Sequence, residues 1–453
     1  MASLLVGKPR EEWSEVHRSI GFGRCKENQQ VENTMKILSF SYYDLPPHLK
    51  TCLLHLSVFP EDYVIEKGPL IWMWVAEGFV HEKQGISSLF EIGEGYFNEL
   101  VNRSMIQLVE AVNEEAMECA CQVHDMVLDL IHSISLEENF VAILDKNKEF
   151  EASSSWQGRS PRRLALQNND RIMEARTDMQ KLWSFLSFGC DIGKHWVPLS
   201  SFKYVCVLDI HTSRGRGEMK RHHLEHLRNL LHLRYLRLIG PGIHDEIPEE
   251  VGTLKFLQTL DVETRNVWKT LPSVGLLTQL LCLRLKPMVQ TVPDGIGTLM
   301  SLEELQIAYV EHEEAEPSLR QFVKELGSLR ELRVLRAGVP PRLSADVRLQ
   351  VDMVESLRNL EKMEGLSLGN MFSPPAPADT AAWEAAGFLL SRQLRQLFLN
   401  WVCFSVFPSF CINPSRLPNL SHLSLYVDGI DEQDLRILGG LPDAQTSVSS
   451  ICV

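Results

Sequence analysis

The sequence predicts an α+β protein in which a small, mainly helical domain precedes a solenoid of repeats that carries a curved parallel sheet. Leucines recur at the spacing L-x-x-L-x-L through the C-terminal part of the 453-residue chain. Residues 31–138 lack this spacing and show helix start and stop signals, followed by two strand-like stretches. We therefore expect a helical domain over residues 31–138, a linker over 139–160 and repeats over 161–453.

Each L-x-x-L-x-L unit contains a short strand whose alternate side chains enter a core. One unit cannot bury these side chains alone, so neighbouring units have to stack. The spacing defines about eleven units, roughly 22 to 34 residues apart. Their strands are marked by Leu164/Leu166, Leu186/Phe188, Leu208/Ile210, Leu236/Leu238, Leu260/Val262, Leu283/Leu285, Leu305/Ile307, Leu332/Val334, Leu366/Leu368, Leu397/Leu399 and Leu423/Leu425. This pattern is typical of a leucine-rich-repeat solenoid.

Three units carry a proline and then a glycine after the strand. The pairs are Pro248 with Gly252, Pro272 with Gly275, and Pro293 with Gly297. Proline removes the backbone donor at the turn that leaves the strand, and we expect the glycine to allow a tight return on the convex side. The later units are less regular, and Met371 to Asp379, rich in Pro and Ala, is the predicted loop between two of them.

The N-terminal region reads as helices followed by a wing. The predicted helices are Met35 to Tyr42, a second opened by Pro47 and running through Leu56, Leu70 to Glu77, and about Leu89 to Asn102. The predicted strands are Met105 to Val109 and Ala116 to Val123, separated by an acidic turn. Helices followed by a two-stranded wing predict a winged-helix domain.

Three segments of this domain carry a specific resemblance. They are residues 38–53 (LSFSYYDLPPHLKTCL), 57–63 (SVFPEDY) and 70–79 (LIWMWVAEGF), and residues 123–130 (VHDMVLDL) follow in the same order. Together with the repeats, they resemble the plant coiled-coil nucleotide-binding leucine-rich-repeat disease-resistance proteins. In that resemblance, residues 1–30 correspond to a remnant of the preceding helical subdomain, and the chain is expected to be truncated at its N-terminus.

The resemblance implies a role for His124 and Asp125. Val123-His124-Asp125 is similar to the Met-His-Asp motif of the family, whose histidine contacts the β-phosphate of ADP, and Asp125 would orient the ring. The alternative that both residues only cap the helix from Met126 to Ser133 stays open. Since no G-x-x-x-x-G-K-[ST] segment occurs in the sequence, we expect no cofactor to bind autonomously; ADP or ATP would bind only if the missing nucleotide-binding half were supplied.

The charge of the chain is acidic and unevenly placed. Residues 1–150 carry 24 acidic and 12 basic side chains, hence 12 of the formal 14 net negative charges, whereas the repeats open with Arg214, Arg216, Lys220 and Arg221. An acidic helical domain without basic neighbours disfavours nucleic-acid binding. Either the basic stretch is simply solvated, or the acidic domain docks on it as an intramolecular contact.

Metal and catalytic sites find little support in the sequence. His222-His223-Leu224-Glu225-His226 fits a zinc-protease pattern formally, but leucines of the repeat run through the same residues. Cys119, Cys121 and His124 do not have the spacing of a zinc finger. We expect no metal site and no enzyme.

The solvent-facing positions of the repeats are the predicted site for a protein partner. In residues 394–401 these positions are Gln396, Phe398, Asn400 and Trp401, and exposed aromatic residues favour protein contact. The resemblance implies an immune receptor whose repeats recognise a pathogen effector or a guarded host protein, while the winged-helix part relays to or autoinhibits a nucleotide switch.

Two alternatives to the receptor function stay open. One is an F-box-like adaptor of a ubiquitin ligase, which Asp44-Leu45-Pro46-x-x-Leu49 suggests, and the other is a decoy without signalling function. With no apolar run near the roughly 20 residues of a membrane span and no secretory signal, we expect a cytoplasmic protein with no integral membrane segment.

Overall fold

The computed structural model describes residues 27–82, 88–109, 119–145, 161–167, 179–190, 197–212, 219, 221–240, 248–264, 267–268, 274–289, 295–309, 316–338, 345–369, 375–441 and 445–449. The chain divides into two compact units, residues 1–197 with 201–211 and residues 198–200 with 212–453. The first holds the helical domain and the first strands of the solenoid; the second holds the later repeats.

The described helices of the first unit are α1 (Glu27–Tyr43), α2 (Pro47–His55), α3 (Lys67–Glu77), α4 (Leu89–Asn102) and α5 (Asp125–Glu137). Their ends follow local chemistry. Pro47 opens α2, where its missing N–H is tolerated, and Gly78 ends α3 in the left-handed conformation with φ 76°. Ser88 opens α4, where its hydroxyl accepts the backbone N–H groups of Phe90 and Glu91.

A three-stranded antiparallel wing completes the helical domain. Its strands β1 (Ile65–Glu66), β2 (Gln107–Val109) and β3 (Ala120–Gln122) lie in the order β1-β3-β2. The sequence predicted only the latter two, because β1 is two residues long and pairs with a strand 55 residues further along the chain. The winged-helix arrangement is thereby confirmed.

Helix α3 forms the centre of the domain core. Residues 69–76 are all buried, including Trp72 and Trp74. Helix α4 approaches α3 closely at Gly93, where an added Cβ would lie 2.6 Å from Cγ2 of Ile71. The burial of residues 69–76 places α3 in the core of the domain.

The first repeats supply four parallel strands to the first unit. They are β4 (Ala142–Asp145), β5 (Arg163–Gln167), β6 (Ser184–Phe188) and β7 (Val207–His211). Strand β4 lies in the segment 139–160 that the sequence assigned to a linker. Its four residues carry no L-x-x-L-x-L spacing, so only pairing with β5 reveals it.

The sequence frame of β6 is wrong by one residue. Leu164 of β5 pairs with Phe185, and Leu166 with Ser187, so Leu186 and Phe188 point to the opposite face of the sheet from these leucines. All five residues of β6 are buried. A strand buried on both faces has no alternation by which its register could be recognised.

The second unit forms a parallel sheet with one strand per repeat. Its sheet strands are β8 (Tyr235–Ile239), β9 (Thr259–Glu263), β11 (Cys282–Val289), β12 (Glu304–Tyr309), β13 (Val334–Gly338), β14 (Gly365–Gly369), β16 (Gln396–Phe404), β17 (His422–Val427) and β18 (Gln445–Ser449). Two short strands, β10 (Val267–Trp268) and β15 (Ala376–Pro377), pair with β11 and β16. The parallel register places the core leucines of each repeat beside those of the next, and these leucines are 0 to 1% exposed on most strands. In β13 the core leucine is Leu335, which pairs with Leu305 and Leu366, whereas Val334 pairs with Glu304 on the other face. The predicted pair Leu332/Val334 is therefore wrong for this strand. The predicted fold class is confirmed.

The connections on the convex side change along the solenoid. Early repeats return through single turns of 3-10 helix, and later ones through α6 (Glu316–Leu326), α7 (Val347–Arg358), α8 (Thr380–Ala385) and α9 (Glu432–Gly439). At Gly297 the predicted signature needs a glycine because of close packing and not because of backbone freedom. An added Cβ would lie 3.1 Å from Cβ of Glu325, and the φ of Gly297 is not positive.

Candidate functional site

The helical domain of the first unit meets the first repeat strands through a buried carboxylate. Glu77 is the last residue of α3, and its side chain is 2% exposed. Its Oε2 lies 2.9 Å from Nε of Arg163, the first residue of β5, and its Oε1 accepts a hydrogen bond from the hydroxyl of Ser184 on β6. His55, at the end of α2, places Nε2 3.6 Å from the same Oε1. Two helices and two repeat strands thus converge on one carboxylate.

Glu77 stays ionised in this setting. Burial by itself would raise the pKa of Glu77, but the His55 ring, the charge of Arg163 and the hydrogen bond from Ser184 together lower the pKa to about 2. The negative charge is therefore held by its partners. A buried ion pair of this kind favours one arrangement of the elements that carry it and strongly disfavours the loss of either partner.

Aromatic rings cover the guanidinium of Arg163. Its Cζ lies 4.5 Å from the ring centre of Phe140 and 5.1 Å from that of Phe79, within cation–π range. The ring of Phe79 also meets His55 edge to face, with centres 5.3 Å apart. These rings exclude water from the Glu77–Arg163 pair and so strengthen its electrostatic attraction.

A second contact joins the turn after α2 to strands β5 to β7. Nε2 of Gln167 donates to the backbone carbonyl of Val58 at 3.0 Å. Phe188 packs against Phe59 and Tyr63, with ring centres 5.4 and 5.2 Å away. Gln167 and Phe188 occupy the face of the sheet opposite to the repeat leucines, so the helical domain covers the solvent-facing side of the first repeats.

A polar relay lies at the edge of this contact. The hydroxyl of Tyr63 is 3.0 Å from Nδ1 of His211, and Nε2 of His211 is 2.8 Å from Oδ1 of Asp209. Asp209 is fully buried. If the imidazole is protonated, it pairs ionically with Asp209 through Nε2, and Nδ1 then donates to the Tyr63 hydroxyl.

Two polar contacts join helix α5 to the turn that follows α2. Oγ of Ser135 lies 3.0 Å from Oγ of Ser57, and Nε2 of His132 lies 3.1 Å from the carbonyl oxygen of Ser57. Val58, the next residue, accepts the hydrogen bond from Gln167. Contacts therefore run without a break from the helix that His124 opens to strand β5.

His124 occupies the N-terminal cap of α5 and is exposed. Its Nδ1 accepts the backbone N–H of Met126 at 3.3 Å. In a neutral imidazole this leaves the proton on Nε2, which is then available to donate to an anion. Asp125 is the first residue of the helix and is also exposed. The geometry satisfies the capping expectation and fits one donor contact to a phosphate.

The predicted partner-binding residues separate into two groups. Gln396, Phe398 and Asn400 are half-buried and alternate with the core leucines of β16, as expected. Trp401 is not exposed: its side chain is fully buried and stacks on Trp383, with ring centres 5.7 Å apart. Leu397, Leu399 and Trp401 are the buried members of one regular alternation, so Trp401 faces the core and its neighbour Asn400 faces the other side. The assignment of Trp401 to the exposed face is therefore wrong.

The basic stretch from Arg214 to Arg221 lies mainly outside the described residues. Arg214, Arg216 and Lys220 lie outside the described residues, as does the side chain of Arg221, whose backbone opens a 3-10 turn. The helical domain contacts the first repeat strands through residues that the sequence did not predict, namely Glu77, Arg163, Tyr63 and His211. Only Glu77 gave a signal, as a lone acid at the end of an apolar helix.

Within the described residues, no group of three or more His, Cys, Asp or Glu side chains is arranged to hold a metal ion. Among the same residues, no helix combines the length and apolar character that crossing a bilayer requires.

Two family models match the chain. Residues 58–131 match a model described as the winged helix domain of disease resistance proteins, and residues 181–446 match one described as a leucine-rich repeat region. The chain is 33% identical to the disease resistance protein Pik-2 of Oryza sativa subsp. japonica over 59% of this chain and 26% of that protein. It is 27% identical to the disease resistance RPP13-like protein 4 of Arabidopsis thaliana, over 91% and 46%. The chain thus spans less than half the length of the relatives it matches.

Proposed function

Because the chain belongs to the plant disease resistance proteins that carry a winged-helix domain and a leucine-rich repeat region, we propose that it serves in cytoplasmic immune recognition, with repeats that bind a pathogen effector or a guarded host protein. In this proposal the winged-helix domain, docked on β5 to β7, holds the repeats in a resting arrangement. The buried Glu77–Arg163 pair carries the proposal.

Docking through Glu77 suits a two-state restraint. The pair joins α3 to β5, and the winged-helix domain would have to leave these strands for the repeats to change their arrangement. Separation would expose Glu77 and Arg163 to water, where each charge is stable alone, so the docked and released states can both exist. A partner that binds better to the released state would shift the balance towards it.

His124 links this restraint to a nucleotide. A nucleotide held by the remaining domains of such a receptor would accept a hydrogen bond from Nε2 of His124, with its phosphate at the N-terminus of α5, where the helix dipole favours negative charge. Displacement of α5 would then reach Val58 and Gln167 through Ser135 and Ser57. Asp125 at the same terminus would restrict ring orientation.

The ubiquitin-ligase adaptor alternative loses support. Leu45 and Leu49, which suggested an F-box, are 3% and 0% exposed and belong to the core around α2. A helix that recruits a ligase subunit has to present its apolar residues. A pull-down with the linker subunit of the ligase tests this alternative and is expected to capture nothing above background.

Leaf expression of a chimera tests the restraint. The chain replaces the matching 26% of Pik-2, and cell death is scored without any partner protein. Wild type is expected to be silent and Glu77→Gln to trigger cell death. Glu432→Gln, which removes a carboxylate from an exposed pair with Arg436, is the control and should stay silent. Equal silence of wild type and Glu77→Gln at matched protein levels would overturn the proposal.

A further inference from the structure

In the first strands of the second unit, the charged side chains on the face opposite to the repeat leucines are paired with one another, and Arg237, Asp261, Arg284 and Glu304 are buried. Arg237 on β8 places Nε 3.1 Å from Asp261 on β9. Lys286 places Nζ 2.7 Å from Glu263, and Nε of Arg284 lies 3.6 Å from Glu304. These ion pairs bridge neighbouring strands. A partner that seated here would have to compete with charges already satisfied inside the sheet.

The later strands present a face of different chemistry. No carboxylate occupies a solvent-facing position of β13, β14, β16 or β17, all of which are described throughout. The positions hold Val334, Arg336, Gly338, Gly365, Ser367, Gly369, Gln396, Phe398, Asn400, His422, Ser424 and Tyr426. In a chain with a formal net charge of −14, a face without acids is a local exception.

This face is also close to neutral. Burial lowers the pKa of His422 below its ordinary value of 6.5, so the ring is neutral at pH 7. Arg336 lies 3.5 Å from Glu304 on β12, a carboxylate that it shares with Arg284. The cores of protein interfaces are depleted in charged residues and enriched in aromatic ones, and this face with Phe398 and Tyr426 has that composition.

Strand β14 forms a recessed floor within the face. Its residues on the face opposite to the leucines are Gly365, Ser367 and Gly369. Gly365 is buried between Val334 and Gln396, whereas a Cβ added to Gly369 would meet nothing within 4 Å. Arg336 leans away from this floor towards Glu304 on β12. Phe398, the register neighbour of Ser367, forms the opposite wall. Since strands lie about 4.8 Å apart, the walls on β13 and β16 are about 10 Å apart, which is wide enough for an aromatic ring.

We propose that this recess, named here the β14 slot and formed by Arg336, Ser367, Gly369 and Phe398, receives an uncharged segment of the partner protein that inserts one aromatic side chain. The inference rests on the proposed function, since it gives the chemistry of the partner that the repeats bind. Glycine within a strand often marks a close approach by a ligand or another backbone. The ring of Phe398 can then meet the partner's ring edge to face or offset-stacked.

An uncharged partner segment follows from what the slot lacks. A carboxylate of the partner would find Arg336 already paired with Glu304 and directed away from the slot. A lysine would find no acid on any solvent-facing position of these four strands. Either charge would lose its hydration without a compensating pair, whereas an aromatic ring loses little.

Short peptides test the slot in the full 453-residue chain. The probes are acetyl-Gly-Ser-Trp-Ser-Gly-amide and its counterparts with Asp or Lys in place of Trp, and binding is measured by ligand-observed NMR. We expect the Trp peptide to bind at least tenfold more tightly than either charged peptide. Gly369→Leu, which fills the slot, and Phe398→Ala, which removes its wall, are each expected to weaken Trp-peptide binding at least tenfold.

Gly95→Leu is the matched control, because a Cβ at Gly95 on α4 also meets nothing within 4 Å. This variant should bind like wild type, and urea unfolding midpoints verify that all variants are folded. Equal binding of the charged peptides, or unchanged binding by both slot variants, overturns the β14 slot. Either result leaves the immune role standing, because the leaf assay with Glu77→Gln tests that role without any peptide.

Discussion

Glu77 and Arg163 form a buried ion pair, with Oε2 of the acid 2.9 Å from Nε of the base, although 86 residues separate them in the chain. Glu77 ends a helix of the winged-helix domain and Arg163 begins a strand of the first repeats. Because both side chains are largely removed from water, neither charge is stable without the other. The docking of the winged-helix domain on the first repeats therefore depends on an intact ion pair.

Removal of one charge should destabilise the first unit. Glu77→Leu and Arg163→Met alone are each expected to cost about 3 to 5 kcal/mol, because the remaining charge stays buried and unpaired. The double variant should cost less than the sum of the two, since an apolar pair replaces the ionic one. Urea unfolding, with hydrogen exchange of β5 as a local probe, measures the cycle. Additive losses would mean that the two side chains do not interact.

The stability of the docked arrangement should fall in acid through Glu77. The folded pKa of about 2 lies below the ordinary value of 4.5. A lowered carboxyl pKa contributes stability that is fully present above about pH 4.5 and is lost as the pH falls towards 2. Hydrogen exchange of β5 between pH 5 and 2 should therefore accelerate more in wild type than in Glu77→Gln, after correction for the intrinsic exchange rate. Parallel profiles would contradict the assignment.

Trp401 and Phe398 should respond to truncation in opposite ways. Trp401→Ala removes a fully buried ring from the stack with Trp383 and is expected to cost about 3 to 5 kcal/mol of unfolding free energy. Phe398→Ala alters a half-buried ring and should cost about 1 kcal/mol or less. Thermal unfolding of the two variants measures these losses of stability. A larger loss of stability for Phe398→Ala than for Trp401→Ala would contradict the assignment of Trp401 to the core.

Two glycines on helix α4 provide a matched pair. Gly95→Ala should stabilise the helix by about 0.5 to 1 kcal/mol, because its Cβ enters open space and alanine restricts the unfolded chain. Gly93→Ala should destabilise the domain, because its Cβ would lie 2.6 Å from Cγ2 of Ile71 on α3. Denaturant midpoints compare the two, and stabilisation by both substitutions would show that α3 and α4 are not held this closely.

Local signals in the sequence predicted the elements but not their junction. Pro47 and Asn102 bound helices where expected, and the predicted apolar pairs of β9, β11, β12, β14, β16 and β17 lie on the core face of their strands. The predicted pair of β13, Leu332/Val334, is wrong, because Leu335 is the residue that pairs with Leu305 and Leu366. The alternation of apolar and polar residues did not predict the register of β6, because both faces of this strand are buried. Phe188, which was expected inside the repeats, packs against Phe59 and Tyr63. Trp401 follows the alternation of Leu397 and Leu399 into the core; the prediction was wrong because it placed the consecutive residues Asn400 and Trp401 on one face of the strand.

The sequence by itself determined that leucines at a fixed spacing stack into a parallel solenoid after a winged-helix domain, because apolar periodicity acts over a few residues and each repeat meets only its neighbours. The tertiary structure alone decided which polar groups meet. Glu77 and Arg163, Tyr63 and His211, and the walls of the β14 slot come from distant segments or from neighbouring strands. Their chemistry depends on burial and register, which no short stretch of sequence specifies.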